Sequence, residues 1–230
     1  MTRALSKIEV YLEIGNKRTI AGAIDWPGWC RIGRDEELAL QALVDYAPRY
    51  ARAVRVASLG FRVPVSKDAF KVIERLKGNM TTDFGAPGIA PSSDARPVAA
   101  AELARLQKLL KASWREFDSA VSAAKGKELA KGPRVGGRDL GKIVVHVLEA
   151  DSAYLGQLGV KIKWDAGDSA GRDRGPTWQA IQNALAASAR GEIPARGPRG
   201  GLRRTPRYFC RRSAWHILDH AWEIEDRARG

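Results

Sequence analysis

The sequence predicts an α+β chain in which a small β-β-α module precedes an all-α four-helix bundle. Two patterns carry that expectation. Before residue 78, short segments alternate apolar and polar side chains, the two-residue period of half-buried strands, and one helix follows them. After residue 97, apolar side chains recur every three or four residues over four long stretches, the period of amphipathic helices. Asn79–Pro97 lies between them and is rich in Gly, Pro, Ser and Thr. The expected organisation is therefore a module at 1–78, a linker at 79–96 and a bundle at 97–230.

Taken in order, Lys7–Ile14 alternates as a strand, Gly15–Lys17 turns, and Arg18–Ile24 returns as its hairpin partner. Trp26–Gly33 reads as a tight turn region. Asp35 is placed to cap a helix that runs past Pro48 to about Ala57. Phe61–Val65 reads as a further strand at an edge, because Pro64 cannot donate to a central ladder. Ser66 is a good N-cap for a helix over Lys67–Lys77. In the second part, Pro97–Ala124 carries Leu103, Leu106, Leu110, Trp114 and Phe117 on one face. Arg138–Leu158 carries Leu140, Val144, Val147, Leu148, Tyr154 and Leu155, and Pro176–Arg190 carries Trp178, Ile181 and Leu185. Thr205-Pro206 opens the last helix as N-cap and first-turn proline, and that helix runs to about Arg227. Four such helices make a bundle. Gly159–Gly175 is too long for a simple hairpin and reads as a crossover along it.

Bulk composition narrows the function. With 230 residues and 44% hydrophobic content the chain can bury a substantial core. It has no apolar run of membrane-spanning length, and Met1–Glu9 lacks the apolar core of a signal peptide. Cys30 and Cys210 are the only cysteines, which points to a reducing cytoplasm rather than a disulfide framework. The net charge of +13 raises nucleic-acid binding as a question. The basic excess is concentrated in Arg190–Arg212, which holds eight arginines and one glutamate among glycines and prolines. That segment has no aromatic platform before Tyr208, so nucleic-acid contact is expected to be weak or absent. Its arginines either steer an anionic substrate toward a site or form a solvated surface tract.

The histidines carry the chemistry. Only three occur: His216 and His220 sit four apart in the last helix, and His146 lies inside the apolar run Gly141–Ala150. Residues four apart share a helix face, so one ion can take both imidazoles. Neutral imidazole is a good ligand for zinc, nickel or ferrous iron, and three of them leave a coordination position open for water or substrate. Taken singly, each histidine reads equally well as a hydrogen-bonded core residue. Three carboxylates follow a histidine by three residues: Glu149, Asp219 and Glu223. Glu149 is the preferred catalytic carboxylate, as general base or as orienter of an imidazole, whereas Asp219 and Asp226 read as solvated charges. Cys210 reads as a buried structural thiol. No Walker-type phosphate loop and no Ser/His/Asp constellation is present. Asp165–Asp173 resembles a calcium loop but lacks its third-position Asp or Asn and its terminal Glu.

With His146 on the second bundle helix and the His216/His220 pair on the last, the stretch from about residue 94 to 230 resembles the DinB/YfiT-like superfamily. The resemblance implies a four-helix bundle of up-down-down-up order. It also implies a solvent-accessible divalent metal on those three histidines, zinc first, with nickel or iron as alternatives. Relatives include thiol-dependent transferases and isomerases, such as mycothiol-dependent maleylpyruvate isomerase. A low-molecular-weight thiol cosubstrate and a small-molecule substrate are therefore implied as well. Trp215 and Trp222 beside the histidines depart from the pattern without specifying a role.

The pattern Trp26-Pro-Gly-Trp-Cys30, then Gly33 and Glu36–Leu43, is similar to the HicB-like module, in which a hairpin leads through a Pro-Gly-Cys turn into an acidic helix start. Here Trp29 separates Gly28 from Cys30, a departure of one residue. This resemblance implies a partner-binding or dimerising role for about the first 60 residues, and hence a homodimer as one arrangement. Two functions follow: a metal-dependent hydrolase or thiol-dependent transferase or isomerase, or a non-catalytic interaction protein whose arginine-rich segment meets nucleic acid or an acidic partner. Metal content separates them.

Overall fold

The computed structural model describes residues 7–131, 137–162 and 174–228. These form two compact units, residues 1–96 and 97–230. The first is a four-stranded sheet with one long helix, and the second is helical, so the layout is α+β.

In the first unit, β1 (Ile8–Ile14) and β2 (Thr19–Ala23) form the expected hairpin, with Val10 opposite Ala23 and Ile14 opposite Thr19. The region read as a turn supplies a third strand, β3 (Cys30–Gly33), antiparallel to β2; only Trp26–Gly28 before it turns. Gly33 marks a close approach: a Cβ there would lie 2.2 Å from the Ala39 backbone nitrogen. Helix α1 (Glu36–Val54) begins where Asp35 accepts from the Leu38 N–H at 2.8 Å, and Glu36 and Glu37 favour the positive end of its dipole. It packs on β2 and β3, where Trp29 donates its indole N–H to the Leu43 carbonyl at 3.0 Å and Tyr50 its hydroxyl to the Pro27 carbonyl at 2.9 Å.

Two expectations are corrected here. Lys67–Lys77 is not a helix. Ser66 caps a single 3-10 turn, Lys67–Ala69, after which β4 (Phe70–Lys77) runs parallel to β1 and completes the sheet order β3-β2-β1-β4. Phe70, Val72, Glu74 and Leu76 are its more buried positions, a period of two, and the open edge of β1 supplies a ladder that a surface helix would forgo. Parallel pairing needs a crossover, and α1 provides it. Phe61–Val65 forms no strand. Val63 and Val65 are exposed, while Phe61 enters an aromatic cluster with Trp26, Trp29 and Tyr50 at ring separations of 4.8–5.0 Å.

The stretch 79–96 also differs from the linker expected of it, because it folds onto the first unit. Asn79 caps α2 (Met80–Phe84) in a reciprocal capping box with Thr82. The fully buried Glu13 carboxylate on β1 then gathers the segment, accepting from the Thr82 hydroxyl, from the Gly88 N–H at 3.0 Å and from the Ile89 N–H at 3.2 Å. Strand alternation hides a charge placed this way, since an inward carboxylate only makes sense once its donors are known. Glu13→Ala should therefore cost about 3 kcal/mol, by stranding buried donors. Limited proteolysis reads the same effect: wild-type protein should resist cleavage within 79–89, and the variant should be cut there first.

The second unit contains α3 (Ala100–Ala123), α4 (Leu140–Leu158), α5 (Gly175–Ala189) and α6 (Pro206–Arg227). Thr205 caps α6 through the Tyr208 N–H, and Pro206 sits in its first turn. Helix α3 packs on α6 and α5, and α4 on α6 and α5, which closes the four into a bundle. Its core includes Leu106, Leu110, Phe117, Ile143, Leu148, Leu155, Ile181, Leu185, Ile217 and Ile224. Most of the crossover Gly159–Gly175, and with it Asp165–Asp173, lies outside the described residues. No helix among the described residues is long and apolar enough to cross a membrane.

Candidate metal centre

Helices α4 and α6 bring the three histidines together. His146 is separated from His216 by 5.0 Å and from His220 by 4.9 Å between ring centroids, and His216 from His220 by 4.6 Å. One ligand atom from each lies within 4.8 Å of the others, a group that could hold a metal ion. The Nε2 atoms of His146 and His216 are 3.2 Å apart. Two nitrogens bound tetrahedrally to zinc at about 2.0–2.1 Å would sit about 3.3 Å apart, so this pair already has the spacing of a shared ion. His216 is buried, whereas His146 and His220 are partly buried.

The electrostatics favour ligand-ready imidazoles. Burial, followed by repulsion from His220 and Arg138, lowers the His146 pKa to about 4. Burial, with repulsion from His220 and His146, also holds His216 well below the ordinary histidine value. Both are neutral at pH 7, the state that binds metals. The His216 Nδ1 is buried with no hydrogen-bond partner. His220 is oriented differently: its Nδ1 meets Glu223 Oε2 at 2.8 Å, which turns Nε2 toward the cluster. Glu223 is held in turn by Arg227 at 2.7 Å, and the Arg227 Nε donates to the Ala130 carbonyl at 2.8 Å. The hydrogen bond to His220, and after it the His220 charge and the hydrogen bond from Arg227, keep Glu223 below the usual carboxylate range despite partial burial.

No family profile, curated protein or solved structure matches this chain.

Of the carboxylates three residues beyond a histidine, the structure selects Glu223. Glu149 is exposed on α4 and is not part of the cluster. Asp219 is half-buried and Asp226 exposed. Spacing alone could not choose between Glu149 and Glu223, because each follows its histidine identically, and what differs is how each helix is rotated in the bundle. Glu223→Gln should weaken metal affinity roughly 10- to 100-fold while leaving the helices intact. A competition titration against a chelator of known affinity measures it.

A further group was missed. Asp151 on α4 is fully buried, and its Oδ1 accepts from the Ser213 hydroxyl on α6 at 2.7 Å. The indole nitrogens of Trp114 and Trp178, whose rings stack at 4.6 Å, come near the same carboxyl, but neither completes a hydrogen bond and Asp151 Oδ2 has no partner. Burial therefore dominates and pushes the Asp151 pKa up to about 7. Ser213 lies three residues before His216, so this bond ties α4 to α6 within one turn of His216. The sequence does hold a signal: Asp151 falls on the apolar stripe set by Val144, Val147, Leu148 and Leu155. Cys210 is fully buried in the bundle core and does not join the cluster. The arginine-rich segment runs into α6, where Arg207, Arg211 and Arg212 precede His216 on the same helix, and Arg212 adds to the repulsion that lowers the His216 pKa.

Proposed function

We propose that the chain is a DinB-like metal-dependent enzyme acting on a small-molecule substrate, by hydrolysis or by transfer or isomerisation that uses a low-molecular-weight thiol. The observation that supports this reading most is the convergence of three imidazoles from two helices, with His146 and His216 held neutral. His146, His216 and His220 would hold a divalent ion, zinc first, with nickel or iron as alternatives. The bound ion would supply Lewis acidity toward a substrate oxygen or thiol sulfur.

The protein's own contribution is orientation. Glu223, anchored by Arg227, holds the proton on His220 Nδ1 and keeps Nε2 free to ligate. The Asp151–Ser213 bond fixes the register between α4 and α6, and so the distance from His146 to His216. Tyr154, whose ring stands 5.9 Å from that of His216, and Arg212, packed over Tyr154 at 5.5 Å, line the same region and offer polar contacts to a substrate. The first unit fits a HicB-like accessory role, since its hairpin leads through Pro27-Gly28 into the capped, acidic start of α1.

Metal analysis of protein purified without added metal, followed by assays of the reconstituted protein against ester, amide and thiol-transfer substrates, tests the proposal. The expected result is about one ion per chain and turnover that requires it. Protein that neither retains nor rebinds an ion would favour the interaction-protein reading.

A further inference from the structure

Lys161, Arg199, Arg203 and Arg204 line a groove of about 810 Å³ between the C-terminal end of α4 and the turn that precedes α6. Among the described residues, no acidic side chain lines it. The turn is built rather than loose. Arg196 and Leu202 form a β-bridge, the Gly197 N–H donates to the Gly201 carbonyl at 2.8 Å, and the Arg203 N–H donates to the Ala195 carbonyl at 2.9 Å. It is pinned to α4 where the Arg204 N–H donates to the Gln157 carbonyl at 3.0 Å.

The cations are positioned without being neutralised. Arg203 donates to the Pro194 carbonyl at 3.0 Å, and its guanidinium occupies the space that a Cβ on Gly159 would fill. Arg204 lies over the Tyr208 ring at 4.4 Å. Among the described residues, no carboxylate pairs with any of the four lining cations. The Leu155 and Gly156 carbonyls at the end of α4 already accept from Val160 and Gly159, which reduces the negative character of that helix end. Gly156 adds a separate indication. Glycine inside a helix is unfavourable, yet a Cβ here would meet nothing within 4 Å, so packing does not require it. What its small size does is leave the groove open.

We infer that this groove binds a small anion carrying two or more phosphate groups. Gathered like charges call for a multivalent counter-anion, and the planar arginine fork matches phosphate oxygens in pairs. A concave site of this volume is of small-molecule size, in the range of about 300–1,000 Å³, rather than the long basic track of a nucleic-acid groove. The groove lies about 15 Å along α4 from His146, so it is distinct from the metal centre and does not depend on it.

Calorimetric titration of the full chain with inorganic pyrophosphate at low salt tests this. One saturable site per chain is expected, with succinate binding much more weakly. Combining Lys161→Ala with Arg199→Ala should weaken pyrophosphate at least about tenfold. Gly156→Leu, which adds bulk without changing charge and favours the helix, should do the same. His216→Ala should bind as wild type does. The inference is overturned if no saturable binding occurs, or if the groove variants bind unchanged. Loss with His216→Ala would place the anion on the triad instead. Tighter, groove-dependent binding of a random DNA duplex would make the site a nucleic-acid surface and equally overturn it.

Discussion

His216→Ala should abolish stoichiometric metal binding, lowering affinity by more than about 100-fold, beyond the loss expected for an outer partner such as Glu223. His216 is the one buried histidine of the three, with its ring within 5.0 Å of both others, so no neighbour can replace it. The helices should survive, because the bundle core rests on Leu, Ile, Val and Phe side chains, and the cavity left costs about 2 kcal/mol. Far-ultraviolet circular dichroism should match wild type. Thermal unfolding gives the second reading. Zinc at 100 times its dissociation constant should stabilise wild-type protein by about 2.7 kcal/mol and leave the variant unmoved. Equal zinc stabilisation of both proteins would mean that the ion binds elsewhere.

Asp151→Asn should stabilise the second unit at pH 8 and leave it nearly unchanged at pH 4. Burial raises the folded-state pKa of Asp151 to about 7, against 3.8 for the ordinary carboxyl. The unfolded chain releases this proton first as pH rises. The stability it contributes is thus complete below about pH 4, declines through the window up to about pH 7, and is absent above it. At about 1.4 kcal/mol per pH unit, the full span is at most about 4 kcal/mol. His146 and His216 act oppositely. Their lowered pKa values make the folded state lose stability as pH falls below the ordinary histidine value of 6.5. The informative quantity is therefore the difference between Asp151→Asn and wild type at each pH, followed by urea unfolding. A difference that does not grow between pH 5 and pH 8 would mean that Asp151 is ionised in the folded protein, with a donor to its second oxygen.

The parts of the fold that could be read from the sequence are those whose signal is local. The three- and four-residue apolar spacing located α3 to α6 to within a few residues, and Asp35 and Thr205 capped the helices expected of them. The failures share a physical cause. Phe70–Lys77 is a strand because β1, far earlier in the chain, offers it an open edge, and Cys30–Gly33 is one because the free edge of β2 takes it after a tight turn. Asn79–Pro97 has the composition of a linker, yet Glu13, more than sixty residues earlier, holds it down. In the candidate metal centre, the three clustered histidines were legible from number and spacing. The groups around them were less so: Glu223 rather than Glu149 meets a histidine because of how α4 and α6 are rotated against one another, and only its place on the apolar stripe of α4 marks Asp151.

The most direct measurement is a crystal structure of the zinc-loaded protein with anomalous data collected on both sides of the zinc edge. A single peak is expected about 2.0–2.1 Å from one ring nitrogen each of His146, His216 and His220, with Nε2 as the ligand atom of His220 and with Glu223 still bonded to its Nδ1. A peak away from these residues, or three imidazoles that stay joined by hydrogen bonds while zinc is in excess, would contradict the account.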